Sequence, residues 1–149
     1  MEYRTGDLFE QGLPALAHGV NCRGGMGGIA GLFAAKWPNM EYEYQAVCAV
    51  GGLQPGDVLP WSAPEGTVIY NCATQLEPGA DARLEAIEDS LAAAVHDAES
   101  RGIDRVGMPR IGAGIGGLLW SEVQEVVEKV GAGTTVTLVV VSLPARAGA

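Results

Sequence analysis

The sequence predicts an α/β domain in which a mixed sheet lies between helices. Three observations point there. Strand-type and helix-type patterns alternate along the 149 residues. A turn at Pro64-Glu65-Gly66 inserts one hairpin among them. Two glycine-rich loops, Asn21-Cys22-Arg23-Gly24-Gly25-Met26-Gly27-Gly28 and Gly112-Ala113-Gly114-Ile115-Gly116-Gly117, each join an apolar strand to a helix. In sheets of this kind ligands sit at the carboxyl ends of the strands, where such loops lie.

The elements follow in order. Met1–Arg4 reads as an opening strand before Gly6-Asp7-Leu8-Phe9, and Ala15–Val20 as a short strand running into the first glycine loop. Ile29–Lys36 is helical and stopped by Pro38, and Met40–Val50 is a second helix ending at Gly51-Gly52. Asp57–Trp61 and Thr67–Ala73 form the hairpin. Ala82–Arg101 is the clearest helix: Leu84, Ile87, Leu91, Val95 and Ala98 share one face, with Asp81 as cap and Gly102 as stop. Arg105–Pro109 is a buried strand leading into the second loop. Ser121-Glu122-Val123-Gln124 has capping-box form, and Val123, Val126, Val127 and Val130 make a buried stripe before Gly131. The β-branched run Thr134–Leu143 reads as a strand covered on both faces. No linker or repeat divides the chain, so residues 1–149 are expected to form one domain.

Charge narrows the partners. Nine Lys+Arg stand against eighteen Asp+Glu, for a net charge of −9. Nucleic-acid binding through phosphate neutralisation needs a basic stripe, so this balance argues against nucleic acid as a partner. A small anion must then be recognised locally, by backbone amides and side chains such as Arg23 and Arg110. No apolar run reaches the ~20 residues of a membrane helix, and Met1-Glu2-Tyr3-Arg4 does not open like a signal peptide. Cys22, Cys48 and Cys72 are odd in number and form no CxxC pair, which fits reduced thiols and a cytoplasmic location. No zinc ligand set and no cofactor is expected.

The loops carry the chemistry. Without Cβ atoms, several N–H groups can turn towards one anion, and a helix N-terminus behind them adds a favourable dipole. Two such loops suggest a ligand with a diphosphate; the competing reading is tight turning and helix–sheet packing. Gly112, Gly114 and Gly117 also match G-x-G-x-x-G, but the next strand ends Val141-Ser142-Leu143-Pro144 without the carboxylate a dinucleotide fold needs. Neither loop carries the Gly-Lys-Ser/Thr of a Walker loop. Asp7 reads either as a cap or as an acceptor for an adenine amino group. Cys22, beside Arg23 and four residues after His18, reads as a packed thiol or as a nucleophile with its base. His96 and the acidic Glu85, Glu88 and Asp89 read as solvated helix faces, and Trp37, Trp61 and Trp120 as core or cleft wall.

The ordered set Gly6-Asp7-Leu8-Phe9, His18-Gly19-Val20-Asn21, Gly25–Phe33 and Pro109–Ile115 followed by Leu119-Trp120 resembles a macrodomain over nearly the whole chain. It is most similar to the branch with terminal ADP-ribose protein glycohydrolase and the antitoxins that remove ADP-ribose from DNA. That resemblance implies a three-layer α/β/α fold with a six-stranded mixed sheet and a cleft for ADP-ribose. Asp7 and the Leu8 N–H would hold adenine. Asn21 would reach the distal ribose hydroxyls as the candidate catalytic residue. Gly25, Met26, Gly27, Gly28 and Ile29 would line the diphosphate and distal ribose, with Thr74 joining the ligand-binding set. Ile111, Gly112, Ala113, Gly114, Ile115 and Gly116 would wrap the phosphates, and Leu143 would lie near the adenine or proximal ribose.

The chain departs from that branch at two chemical positions. A lysine there attacks the distal ribose C1, but this chain has Gln75 after Thr74, and an amide is no amine nucleophile. The branch's second-loop aspartate falls at Gly116. Other macrodomains hydrolyse ADP-ribosyl esters without the lysine, holding a water between the loops. The implied function is therefore removal of ADP-ribose from acidic side chains of mono-ADP-ribosylated proteins. The alternative is a non-catalytic reader of ADP-ribose or a related metabolite.

Overall fold

A computed structural model describes residues 1–144. The strands are β1 (Glu2–Thr5), β2 (Ala15–Val20), β3 (Val58–Ser62), β4 (Val68–Ala73), β5 (Arg105–Met108) and β6 (Thr137–Ser142). The helices are α1 (Ile29–Lys36), α2 (Pro38–Ala49), α3 (Leu84–Ser100) and α4 (Trp120–Ala132), with a 3-10 turn over Leu8–Glu10. The strands form one six-stranded sheet in the order β1-β6-β5-β2-β4-β3. Every neighbouring pair is parallel except the β3–β4 hairpin.

Alternation along the strands separates two cores. Ala15, Ala17, Tyr70, Cys72, Val106, Met108, Leu138 and Val140 face the apolar stripes of α3 and α4. Leu16, Ile69, Val139 and Val141 face Phe33, Trp37 and Met40 of the α1–α2 layer. The result is three layers, with the sheet covered on both sides as its apolar strands require. Trp37 packs in the second core and Trp61 against it. At the outer edge, β3 carries Pro60, opposite Tyr70. Among the described residues no helix is long and apolar enough to cross a membrane.

Four local expectations are corrected. Pro38 does not merely stop α1; it opens α2 at the first helical position, where a missing N–H loses nothing, and the break falls at Trp37 (φ −129°, ψ 77°). Asp81 does not cap α3, because its Oδ2 accepts from the Leu76 and Glu77 N–H groups at 3.0 and 2.9 Å, and the helix begins at Leu84. The Ser121 capping box does not form: α4 starts one residue earlier, at Trp120, with Leu119 as an N-cap that makes no side-chain bond. Gly131 does not end α4 but lies inside it, where a Cβ would stand 2.8 Å from the Met1 sulfur, and Gly133 is the C-cap.

His18 on β2 is fully buried and stacks on Phe33 at 3.9 Å. Its Nε2–H donates to Asn71 Oδ1 at 2.6 Å, while Asn71 Nδ2 donates to Leu59 O and fixes the amide's orientation. Nδ1 has no partner, so the ring is neutral, and burial holds its pKa down at about 4. Between pH 6.5 and 4 only the unfolded chain takes up this proton, so stability falls as pH drops through that window. Urea unfolding should lose about 1.5 kcal/mol from this group between pH 6.5 and 5. His18→Gln should remove that slope; a slope that survives the substitution would place the titration elsewhere.

Candidate functional site

A cleft of about 1720 Å³ crosses the carboxyl ends of the parallel strands. Asp7 follows β1, Ser142 and Leu143 close β6, Arg110 follows β5, Asn21 follows β2 and Thr74 follows β4, and all line it. The chain leaves β2 for the α1–α2 layer and leaves the adjacent β5 for α4 on the opposite face. A crevice must open between connections that diverge this way, and the two glycine loops are its two lips.

The loops hold backbone donors that the protein does not use. In the first loop the N–H groups of Gly25, Met26, Gly27 and Gly28 have no protein partner among the described residues. In the second, the same is true of Gly112, Gly114, Ile115 and Gly116. The carbonyls and flanking amides are what fix the loops: Ala113 N–H donates to Arg110 O, Gly117 N–H to Gly114 O and Leu118 N–H to Gly112 O, at 3.0 to 3.2 Å. An anion seated between the lips therefore meets donors already in place.

Packing from behind explains the glycines. Gly112 has φ +75°, and a Cβ there would stand 2.6 Å from Ile87 Cδ1. A Cβ on Gly116 would meet Gly112 O at 2.7 Å and Ala82 Cβ at 2.8 Å, so no aspartate fits there without rearrangement. Gly114 has nothing within 4 Å and faces open space. On the first lip, Gly28 (φ +56°) would place a Cβ 2.6 Å from Ile115 Cδ1, so the two lips touch at this point.

Asn21 organises the first lip. Its Nδ2 donates to Gly25 O at 2.8 Å, and its Oδ1 accepts from Arg23 N–H at 2.8 Å and from the Tyr44 hydroxyl at 2.9 Å. One Nδ2 hydrogen remains for a ligand. Gln75 similarly braces the floor below the second lip, its Nε2 donating to Glu77 O at 2.6 Å and Gly79 O at 2.8 Å. Ala82 N–H then donates to Gly116 O and ties that floor to the loop.

The residues that the resemblance assigns to the ligand all line this one cleft: Asp7, Leu8, Asn21, Gly25–Ile29, Thr74, Ile111–Gly116 and Leu143. Asp7 Oδ1 also caps the 3-10 turn by accepting from Phe9 N–H at 2.9 Å, so one oxygen is engaged. Leu8 and Thr74 are buried, whereas Leu143 is exposed at the rim. Trp120 is cleft wall. Arg23 corrects an expectation: its guanidinium pairs with Glu77 and stands outside the cleft. Nor do Cys22 and His18 form a nucleophile and base. His18 bonds to Asn71, the Cys22 thiol donates to Gln75 O at 3.4 Å, and burial pushes that thiol up to about 11. Sequence reasoning missed Tyr44, which reaches Asn21 from a helix more than twenty residues away, and Lys36 and Phe9 on the cleft wall.

The fold and the cleft define a three-layer α/β/α protein built to hold an anionic ligand between two lips. The Macro domain family model matches residues 17–127, and the chain belongs to that family. It is 29% identical to the DNA ADP-ribosyl glycohydrolase of Thermus aquaticus over 135 residues, 87% of this chain but 37% of that protein. It is 28% identical to the ADP-ribose 1''-phosphate phosphatase of Candida albicans over 145 residues, 87% of this chain and 92% of that protein. Among solved structures it superposes on the macrodomain of Mycobacterium tuberculosis DarG with a TM-score of 0.87 at 28% identity, covering 97% of each chain. The chain thus spans about a third of the length of the glycohydrolase it resembles. The expectation, drawn from charge, that nucleic acid is not a partner is not borne out, since a similar protein is named for DNA. A cleft that grips its ligand locally needs no basic stripe for whatever that ligand is attached to.

Substitutions separate the roles of the second-lip glycines. Gly112→Ala should destabilise by about 2 kcal/mol, from the left-handed backbone and the Ile87 clash. Gly114→Ala, with open space around it, should stay within about 0.5 kcal/mol. Chemical denaturation of both variants checks this, and equal losses would show that position 114 is packed as well.

Proposed function

We propose that this macrodomain binds ADP-ribose in the cleft, acting as a single unit over residues 1–149, and hydrolyses its ester links to acidic side chains of proteins. The observation carrying this reading is the pair of uncommitted amide rows facing one cleft between β2 and β5. A diphosphate bridges two such rows, Asp7 accepts from the adenine amino group, and Asn21 offers its remaining Nδ2–H to the distal ribose. The names of similar proteins, which act on ADP-ribosyl or ADP-ribose phosphate bonds, support a hydrolase of this ligand class.

Gln75 offers no amine, and Asn21 is an amide, so neither attacks nor takes a proton. The lysine-free route is addition of a water held between the lips. Water forms the new C1–OH bond at the distal ribose, the bond to the ester oxygen breaks, and the carboxylate leaves as a stable anion. The water's proton passes to a phosphate oxygen of the substrate and then to solvent. Positioning and electrostatics suffice for such a leaving group. A 1''-phosphate leaves equally well as an anion, which makes ADP-ribose 1''-phosphate a second candidate substrate. A non-catalytic reader is the alternative, favoured by the absence of an acid at Gly116.

Calorimetry with ADP-ribose tests the cleft, and no heat at millimolar ligand would remove the whole reading. Incubation with glutamate-linked ADP-ribosylated protein, ADP-ribose 1''-phosphate and ADP-ribosylated DNA then sorts the chemistry. Release from the ester faster than in buffer supports the hydrolase, and release from none leaves the reader. Gly114→Glu should fold normally yet weaken ADP-ribose by roughly two orders of magnitude or more, because its carboxylate meets the diphosphate.

A further inference from the structure

Among the described residues, Arg4, Arg23, Arg83, Arg101, Arg105 and Lys129 all pair with carboxylates. The two cations that do not, Lys36 and Arg110, both line the cleft. In a chain of net charge −9 that is a selective placement. Neither stands on the amide-lined lips. Lys36 lies 5.2 Å from the centre of the Phe9 ring, beside the exit of β1.

Arg110 is the better fixed of the two. Its guanidinium lies 5.5 Å over the Trp120 ring, and its Nε–H donates to Ser142 Oγ at 3.0 Å. The stack and the bond set the plane and direction of the fork, and its terminal NH2 groups have no protein partner among the described residues. A guanidinium held this way is suited to a phosphate, which it can grip with parallel hydrogen bonds.

Sheet order says which part of a ligand would pass it. From β1 to β2 the carboxyl ends run Asp7, Ser142, Arg110, Asn21. Neighbouring strands are about 4.8 Å apart, so this span is about 14 Å. With the base at Asp7 and the diphosphate at the lips, the adenosine ribose crosses the ends of β6 and β5, beside Ser142 and Arg110. Unmodified ribose there offers only hydroxyls, which leaves the charge of Arg110 unanswered.

Resting on the proposed ADP-ribose reading, we infer that Arg110, oriented by Ser142 and Trp120, forms a subsite for an anionic group carried on the 2'-oxygen of the adenosine ribose. Two sources have that chemistry: a 2'-phosphate, as on ADP-ribose of NADP type, and the next unit of an ADP-ribose polymer linked through the 2'-oxygen. The subsite discriminates between ligands and takes no part in bond breaking.

Calorimetry compares ADP-ribose, ADP-ribose 2'-phosphate and a 2'-linked ADP-ribose dimer on the same protein. The 2'-phosphate should bind about tenfold tighter than ADP-ribose, as one charge-assisted contact permits, with the advantage shrinking as salt rises. Arg110→Gln should bring the affinity ratio close to one. Trp120→Leu should reduce it by freeing the guanidinium. An advantage for the dimer alone, lost in Arg110→Gln, would assign the subsite to polymer. A ratio of one or below for both ligands, or a ratio unchanged in Arg110→Gln, overturns the inference. ADP-ribose itself failing to bind would instead sink the reading on which it rests. Circular dichroism melting of the variants shows that exposed Arg110 is not being tested through unfolding.

Discussion

The architecture depends on backbone donors left unsatisfied by the protein. A buried N–H without an acceptor costs about 1–3 kcal/mol, so folded chains normally pair nearly all of them. Two short loops here keep theirs without a protein partner among the described residues, at the wall of an open cleft. That is stable only because the loops are fixed by other means. Carbonyls, glycine Cα atoms and the side chains of Asn21, Tyr44 and Gln75 do the holding. Parallel strands with diverging connections create the space, and glycine makes it line with amides instead of side chains.

Much of this was legible in the sequence. β2 and α1 match their expected bounds residue for residue, since Pro14 precedes β2, Gly28 precedes α1 and Trp37-Pro38 punctuates the helix end. The α3 and α4 stripes, the hairpin and both glycine loops were visible because period and composition are local signals. Failures came where the group behind a signal had a second partner that the pattern did not show. The Asp81 carboxylate had nearer amide donors in its own loop than at a helix end. Gly131 looked like a helix terminator, but it makes room for Met1. The cleft residues were read through glycine runs and resemblance, while the partners that orient them were invisible. Tyr44 sits on a helix with no mark of function, and Arg23 is claimed by Glu77, 54 residues away.

The acidic balance takes on a different meaning once the ion pairs are placed. Net charge describes attraction at a distance, and it is screened within about 10 Å at moderate salt. Recognition as proposed for this cleft operates at contact, through oriented dipoles and a few placed side chains. An acidic surface is compatible with an anionic ligand held that way. It is also compatible with relatives whose names include DNA, because the group gripped and the group it hangs from are separate problems.

The sheet's margins have a consequence of their own. At one border Pro60 lacks the hydrogen that a docking chain would have to accept, and the other border is a four-residue strand bearing Glu2 and Arg4. Neither rim templates an added strand. Were a modified polypeptide the guest, as proposed above, pairing with a sheet rim would contribute little and the ornament seated in the cleft would carry the recognition.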